Sequence, residues 1–230
     1  MNSTMLEISG FLERRTTADV VFEHLYNELQ TLTLLPGTKV SESETAKRLG
    51  VSRQPVRDAF ARLSTLDLLL IRPQKATEVR GFSMQRILHD RFVRLAVELE
   101  VIRSACAVWD DIRAAELQIN IVAQRKALDM GDTAEFDRLD FEFHSFICEL
   151  AGHPLASETI DVAKRAVDRL RHLTDAPERE AEFLWNDHCR LADALRHRDE
   201  ATATAAIRMH LSRIEGIISD VHKAHPEYFE

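Results

Sequence analysis

Glycine and proline are scarce in this chain, seven and six among 230 residues. So little turn-forming material argues against an architecture of many short strands and favours long helices. Nowhere does an apolar run approach the roughly 18 residues that a membrane span requires. The opening MNSTMLEISGFLERR lacks the charged-then-apolar order of a secretory leader. No membrane partner is therefore expected, and the chain reads as cytoplasmic. Cysteine is sparse too. Cys106, Cys148 and Cys189 are an odd three, each inside a helical pattern, which leaves reduced, partly buried thiols and excludes a disulfide framework. What remains, 45% apolar and 30% charged residues, suits a globular chain long enough for one large domain or two modest ones.

Also missing is any overall surplus of positive charge. The net charge of −8 argues superficially against a nucleic-acid binder. Its distribution says otherwise. Residues 1–81 carry 11 Lys/Arg against 10 Asp/Glu, and residues 82–230 carry 19 against 28. Within 37–80 there are 9 basic and 5 acidic residues, so a local basic surface survives near the N-terminus.

The apolar positions Val20, Val21, Leu25, Leu29 and Leu32 have helical spacing, with Thr16 or Thr17 as cap and LPGT at 35–38 as the stop. A short helix from Glu42 to Leu49 is closed by Gly50, whose freedom at positive φ suits the turn that follows. Another helix runs from Arg53 to about Thr65, with Val56, Phe60 and Leu63 inward; Pro55 is tolerable in its first turn. Residues 68–81 read as two short strands around a Pro-Gln-Lys-Ala turn. That order is a winged helix-turn-helix. From Ser83 on the pattern is all helical, with helices near 84–108, 112–130, 133–151, 155–174, 178–197 and 200–223, and with stops at MGD, AGHP, DAP and RHRDE. The expected fold is mainly α: a DNA-binding domain over 1–82 and a helical bundle over 83–230.

In a helix-turn-helix the first-turn side chains of the second helix enter the major groove, here Arg53, Gln54 and Arg57, with Ser52 as the cap. Arg can read guanine and Gln adenine by paired hydrogen bonds, while Lys47, Arg48 and Arg62 would lie nearer the phosphates. The string LPGTKVSESETAKRLGVSRQPVRDAFARL resembles the N-terminal domain of GntR-family transcription regulators, over about residues 17–82. The resemblance implies DNA contacts by Arg53 and Arg57, with Ser52, Gln54 and Pro55 at the helix start and Lys75 in the wing. Asp67 and Ala76 stand where that family usually has glycine. Asp tolerates the left-handed region, whereas a Cβ at the wing tip works against close approach to the minor groove.

The second signal is DRLDFEFHSFICEL, which sets Asp140 and His144 four residues apart on an apolar helical face. Alone, such a pair is more often a buried histidine bonded to its helix neighbour than half of a metal site. His188 and His210 lie 11 residues before and 11 after Asp199, where a helix break is expected. In an antiparallel hairpin they would be level, roughly 16 Å from the turn at 1.5 Å per residue. Three imidazoles and a carboxylate suit a divalent transition metal, Zn first, with Ni, Mn or Fe as alternatives.

Residues 84–223 are similar to the all-helical FCD effector domain of the FadR subfamily, on RLAVE, D-x-x-x-H before an apolar run, DHCRLADAL and A-x-x-x-H-L. The resemblance implies Asp140, His144, His188 and His210 as ligands and Arg94 as a partner for an anionic effector. His153 replaces the usual Asn after the metal helix and is a candidate effector contact; Arg198 replaces a usual Gly. The function expected is a ligand-responsive transcription regulator, a homodimer on a two-fold symmetric double-stranded operator, with a small carboxylate as effector. The ion itself as signal, a purely structural ion and a metalloenzyme are the competing readings. No separate nucleophile or general base stands out, so an enzyme is not expected.

Overall fold

The computed structural model describes residues 15–174 and 177–230, with backbone only at 177 and 178. The expected stop at Asp175 and Ala176, and the N-terminal stretch read for a leader, lie outside the described residues. Two compact units divide the chain: one runs to Arg80 without Gln30–Leu32, the other takes Gln30–Leu32 and Gly81–Glu230.

In the first unit, α1 (Thr17–Gln30) starts at a reciprocal cap. Thr16 N and Oγ1 donate to Asp19 Oδ2 at 2.9 and 2.7 Å, and Asp19 N donates back to Thr16 Oγ1 at 3.2 Å. Val21, Leu25 and Leu29 form its buried stripe, while Val20 is exposed. Strand β1 (Lys39–Val40) leads into α2 (Glu42–Leu49), capped by Ser41 and closed by Gly50 at φ 67°. Helix α3 (Arg53–Thr65) buries Val56, Ala59, Phe60 and Leu63 against the α1 stripe. β2 (Leu69–Leu70) and β3 (Thr77–Val79) form the wing, and the antiparallel order among the described residues is β1-β3-β2. β1 was not expected, because two residues carry no alternation; it is recruited by pairing Lys39 with Glu78.

Asp67 does adopt the left-handed region, at φ 57°, and its Oδ1 accepts a 2.6 Å bond from Arg80 Nη1. In the wing the left-handed residue is Gln74 at φ 60°, not Ala76, so the Ala76 Cβ brings no backbone strain.

The second unit packs α4 (Met84–Val108), α5 (Asp111–Met130), α6 (Thr133–Leu150), α7 (Ala156–Arg171), α8 (Pro177–Arg196), α9 (Glu200–Ser212) and α10 (Ile214–Ala224). Caps of one design start most of them: Ser83, Asp110, Asp132 and Asp199 each accept from the backbone N–H three residues on. The core joins Ile102, Ala105, Trp109, Leu117, Phe143, Ile147, Leu191, Leu195 and Ile207. The single helix expected over 200–223 is two. At the junction Arg213 turns its side chain to Asp187 on α8, with Nη2 to Oδ1 at 2.8 Å. The first and last segments of this unit meet: Phe82 N donates to Tyr228 O at 2.7 Å and Glu230 N to Phe82 O at 2.9 Å. A Cβ on Gly81 would sit 2.8 Å from the Tyr228 carbonyl oxygen, so this approach requires glycine.

Asp67→Gly is expected to change the unfolding free energy by no more than about 1 kcal/mol, whereas Asp67→Val lowers it by about 2 kcal/mol. Urea unfolding of the two variants checks the difference.

Candidate metal centre and nucleic-acid interface

Six helices of the second unit turn polar side chains into its centre. Asp140 and His144 come from α6, His188 from α8 and His210 from α9, and their potential ligand atoms lie within 4.8 Å of one another. All four are buried. The hairpin of α8 and α9 sets His188 against His210 with ring centroids 4.8 Å apart; His144 lies 5.3 Å from the first and 5.2 Å from the second. The Phe143 ring stacks on His188 at 4.2 Å, closing one side.

A surrounding set of side chains fixes these rings. His188 Nδ1 lies 2.8 Å from Gln124 Oε1, and Gln124 Nε2 donates to Asn120 Oδ1 at 2.6 Å. Asn120 Nδ2 then donates to the Leu139 carbonyl at 3.1 Å, one residue before Asp140. Since Gln124 spends its donor on Asn120, its oxygen accepts, which puts the His188 proton on Nδ1 and leaves Nε2 a free lone pair. His144 Nδ1 faces Glu98 Oε2 at 2.8 Å, with the same consequence, and Glu98 Oε1 accepts from Arg94 Nε at 2.6 Å. Asp140 Oδ2 is taken by Lys164 Nζ.

What is left over is informative. Asp140 Oδ1, His144 Nε2 and His188 Nε2 are buried without a hydrogen-bond partner among the described residues, as is His210 Nδ1. Asp140 Oδ1 lies 3.5 Å from His188 Nε2 and 4.0 Å from His144 Nε2. Buried atoms of this kind are costly unless something satisfies them. One carboxylate oxygen and three imidazole nitrogens make a donor set that fits Zn, Ni, Fe or Mn, so the residues present could hold such an ion.

The electrostatics fit neutral His188 and His210 beside charged carboxylates. Burial pushes the His188 imidazole down to about 3, with Asp140 opposing. Burial, then the neighbouring His188 and His144, hold His210 well below its ordinary value. For Asp140, burial alone would raise the carboxyl, but Lys164, His144 and His188 together hold it well below the usual range. Glu98 follows the same pattern: burial opposes ionisation, His144 and Arg94 overcome it, and the carboxyl sits at about 2.

Beside the cluster lies a small cavity of about 90 Å³ whose wall includes Arg91, Arg94, Arg171, Arg208 and His210. Arg94 is buried and its Nη2 has no hydrogen-bond partner among the described residues. His153 does not join it. It is exposed in the turn after α6 and lines a separate apolar hollow with Ala96, Val97 and Leu155, because the helix ends at Leu150 and the chain turns outward at Gly152, φ 80°. Sequence reasoning missed Glu98, Gln124, Lys164, Arg91, Arg171 and Arg208. For the first three a signal existed: Lys164 interrupts the apolar stripe Ile160, Ala163, Val167, and Gln124 and Glu98 likewise fall on buried helix faces.

In the first unit, α3 presents Arg53 and Arg57 with side chains 63% and 58% exposed. Both lean on Glu42, at 3.6 and 3.2 Å, which stations them together at the start of the helix. Gln54 donates to Asp58 Oδ1 at 2.8 Å; Ser52 occupies the cap position, but its hydroxyl makes no capping bond among the described residues. Pro55 lies half-buried in the first turn and Lys75 is exposed in the wing. Arg48 pairs with Glu28 on both oxygens, and Arg62 pairs with Asp19 at 2.7 Å over the Phe22 ring, so both brace α1.

Comparison with known proteins agrees with both halves. The family model described as "Bacterial regulatory proteins, gntR family" matches residues 17–79, and the FCD domain model matches 91–213. Over 209 residues the chain is 31% identical to the HTH-type transcriptional repressor RspR of Escherichia coli K12, covering 91% of this chain and 92% of that one. An uncharacterized HTH-type regulator in an unstable DNA locus of Streptomyces ambofaciens is 32% identical over 216 residues, 94% of this chain and 90% of the relative. Among solved structures, E. coli McbR/YncC superposes with a TM-score of 0.69 at 20% identity, covering 92% of this chain and 100% of that one, a likeness of fold.

Glu98 serves two buried partners at once. Glu98→Ala is expected to lower the unfolding free energy by about 3–5 kcal/mol, because Arg94 keeps its charge without its counter-ion. Chemical denaturation of the variant beside wild type measures it.

Proposed function

This chain belongs to the gntR family of bacterial regulatory proteins and carries an FCD domain, and from that premise we propose that its operator binding is modulated by a small carboxylate held at a metal ion in the helical unit. It is a DNA-binding transcriptional regulator with an effector-binding domain; its relatives are regulators, not enzymes. The observation that carries the proposal is the convergence of unpartnered, buried Asp140 Oδ1, His144 Nε2 and His188 Nε2 beside a cavity edged by four arginines. Asp140, His144, His188 and His210 would hold the ion, Zn first, with Ni, Mn or Fe also suited. When bound, the ion supplies a Lewis-acidic centre for an anionic oxygen.

The protein's own residues do the rest. Gln124 and Glu98 hold the His188 and His144 rings in the tautomer that turns Nε2 inward. Arg94, with a spare Nη2, and Arg91, Arg171 and Arg208 around the cavity offer counter-charge to an effector carboxylate. Those arginines favour an anionic effector over the ion alone as signal. His153, on its outward turn, is left out of this effector site. An effector shifts the regulator between states only by binding one of them more tightly.

On the DNA side, Arg53, Gln54 and Arg57 read base edges, Ser52 and Pro55 sit at the phosphate-facing start of the helix, and Lys75 adds a wing contact. A homodimer on a two-fold symmetric operator is supported by α5. Its outer face carries Ile112, Ile119, Val122 and Met130, exposed at 73, 71, 60 and 70%. A two-fold axis beside α5 would bury that stripe against its own copy.

Arg53→Ala and Arg57→Ala are each expected to cost about 1–3 kcal/mol of affinity for an operator selected from random DNA, with metal content unchanged. Full retention of sequence-specific binding in both would sink the docking model. His144→Ala is expected to lose stoichiometric metal by elemental analysis; a variant that keeps its metal returns the cluster to the status of buried histidines. Ile119→Glu is expected to sediment as a monomer, and an unchanged sedimentation coefficient excludes α5 as the dimer face.

A further inference from the structure

We propose that Lys164 is a built-in cation that holds Asp140 in place before any ion arrives and leaves it one oxygen to offer as a ligand. Lys164 lies on α7 inside the buried stripe of Ile160, Ala163, Val167 and Leu170, and only 5% of its surface is exposed. Its Nζ bonds Asp140 Oδ2, and a second carboxylate, Asp168 Oδ2, steadies it at 3.6 Å. The two oxygens of Asp140 are thereby divided. Oδ2 faces the ammonium on α7, while Oδ1 faces His188 and His144 and has no hydrogen-bond partner among the described residues.

A buried carboxylate inside a bundle needs a cation, and the Lys164 ammonium bonded to Oδ2 is one. Lys164 meets that need in the metal-free protein, so the ligand set is assembled in advance and does not depend on the ion for its geometry. Two consequences follow for the ion. Asp140 would offer it Oδ1 alone, since Oδ2 is engaged by Lys164. A positive charge one carboxylate away also opposes a dication, so Lys164 lowers affinity and keeps the ion exchangeable.

This inference rests on the reading of the cluster as a metal site, and the experiment separates the two. Co²⁺ is titrated into metal-free wild type, Lys164→Met and Lys164→Gln. Affinity is read by competition with a chelator, coordination by the visible absorption bands, and stability of the metal-free form by its melting temperature. In Lys164→Met both Asp140 oxygens become available. The metal-free form is expected to melt lower, Co²⁺ affinity to rise at least about tenfold, and the visible bands to weaken as coordination number increases. Lys164→Gln removes the charge and keeps a donor; its Co²⁺ affinity is expected to rise as well, and it carries the affinity test should the methionine variant not fold. Affinity and bands equal to wild type in these variants overturn the proposal while the metal site stands. Wild type that takes up no Co²⁺ overturns the metal reading and this inference with it.

Discussion

A carboxylate cut off from water must be given a positive partner, and this requirement organises the helical unit. Asp140 draws Lys164 from α7, and Glu98 draws Arg94 along its own helix. Once those two pairs are set, the ring nitrogens of His144 and His188 are committed in direction, because Glu98 and Gln124 take the outer Nδ1 of each. The inner atoms then have nowhere to turn but toward one another. Buried ion pairs contribute little net stability by themselves. Their value here is directional: they hold the arrangement that an ion or a ligand would meet.

The DNA-reading unit solves a similar problem at its surface. Two arginines close together on one exposed helix face repel, and each has rotamer freedom to lose on binding. Glu42, in the helix before, sits between Arg53 and Arg57 and keeps both near the start of α3. Because both arginines are more than half exposed, water screens the pairs and Glu42 holds them only weakly. The other arginines differ in kind. Arg48 and Arg62 bond carboxylates on α1 and belong to the unit's frame.

Much of this was legible in the sequence because it lies in periodicity and spacing. The limits of α2 and α3, the left-handed residue at Asp67, and the equal distances of His188 and His210 from Asp199 all follow from local rules. Pairings that cross helices did not come through. That Lys164 of α7 meets Asp140 of α6, or that Gln124 of α5 meets His188 of α8, depends on how helices are rotated against one another, which no single stripe fixes. β1 escaped because two residues show no period, and the break at Arg213 because its cause, Asp187, lies on another helix. His153 misled in the opposite way: its place in a motif suggested a site, while the turn at Gly152 aims it outward.

Phe82 and Phe229 lie side by side, held by backbone bonds on both sides of Phe82. Between them runs the whole helical bundle, so the chain enters and returns at one doorway. In topological terms the bundle is a closed ring of chain, fastened by a short clasp. A module of that form has both its ends tied at one place, and the earlier chain adds only Gln30–Leu32 to it, with Leu32 buried beside Phe82 and Ile87.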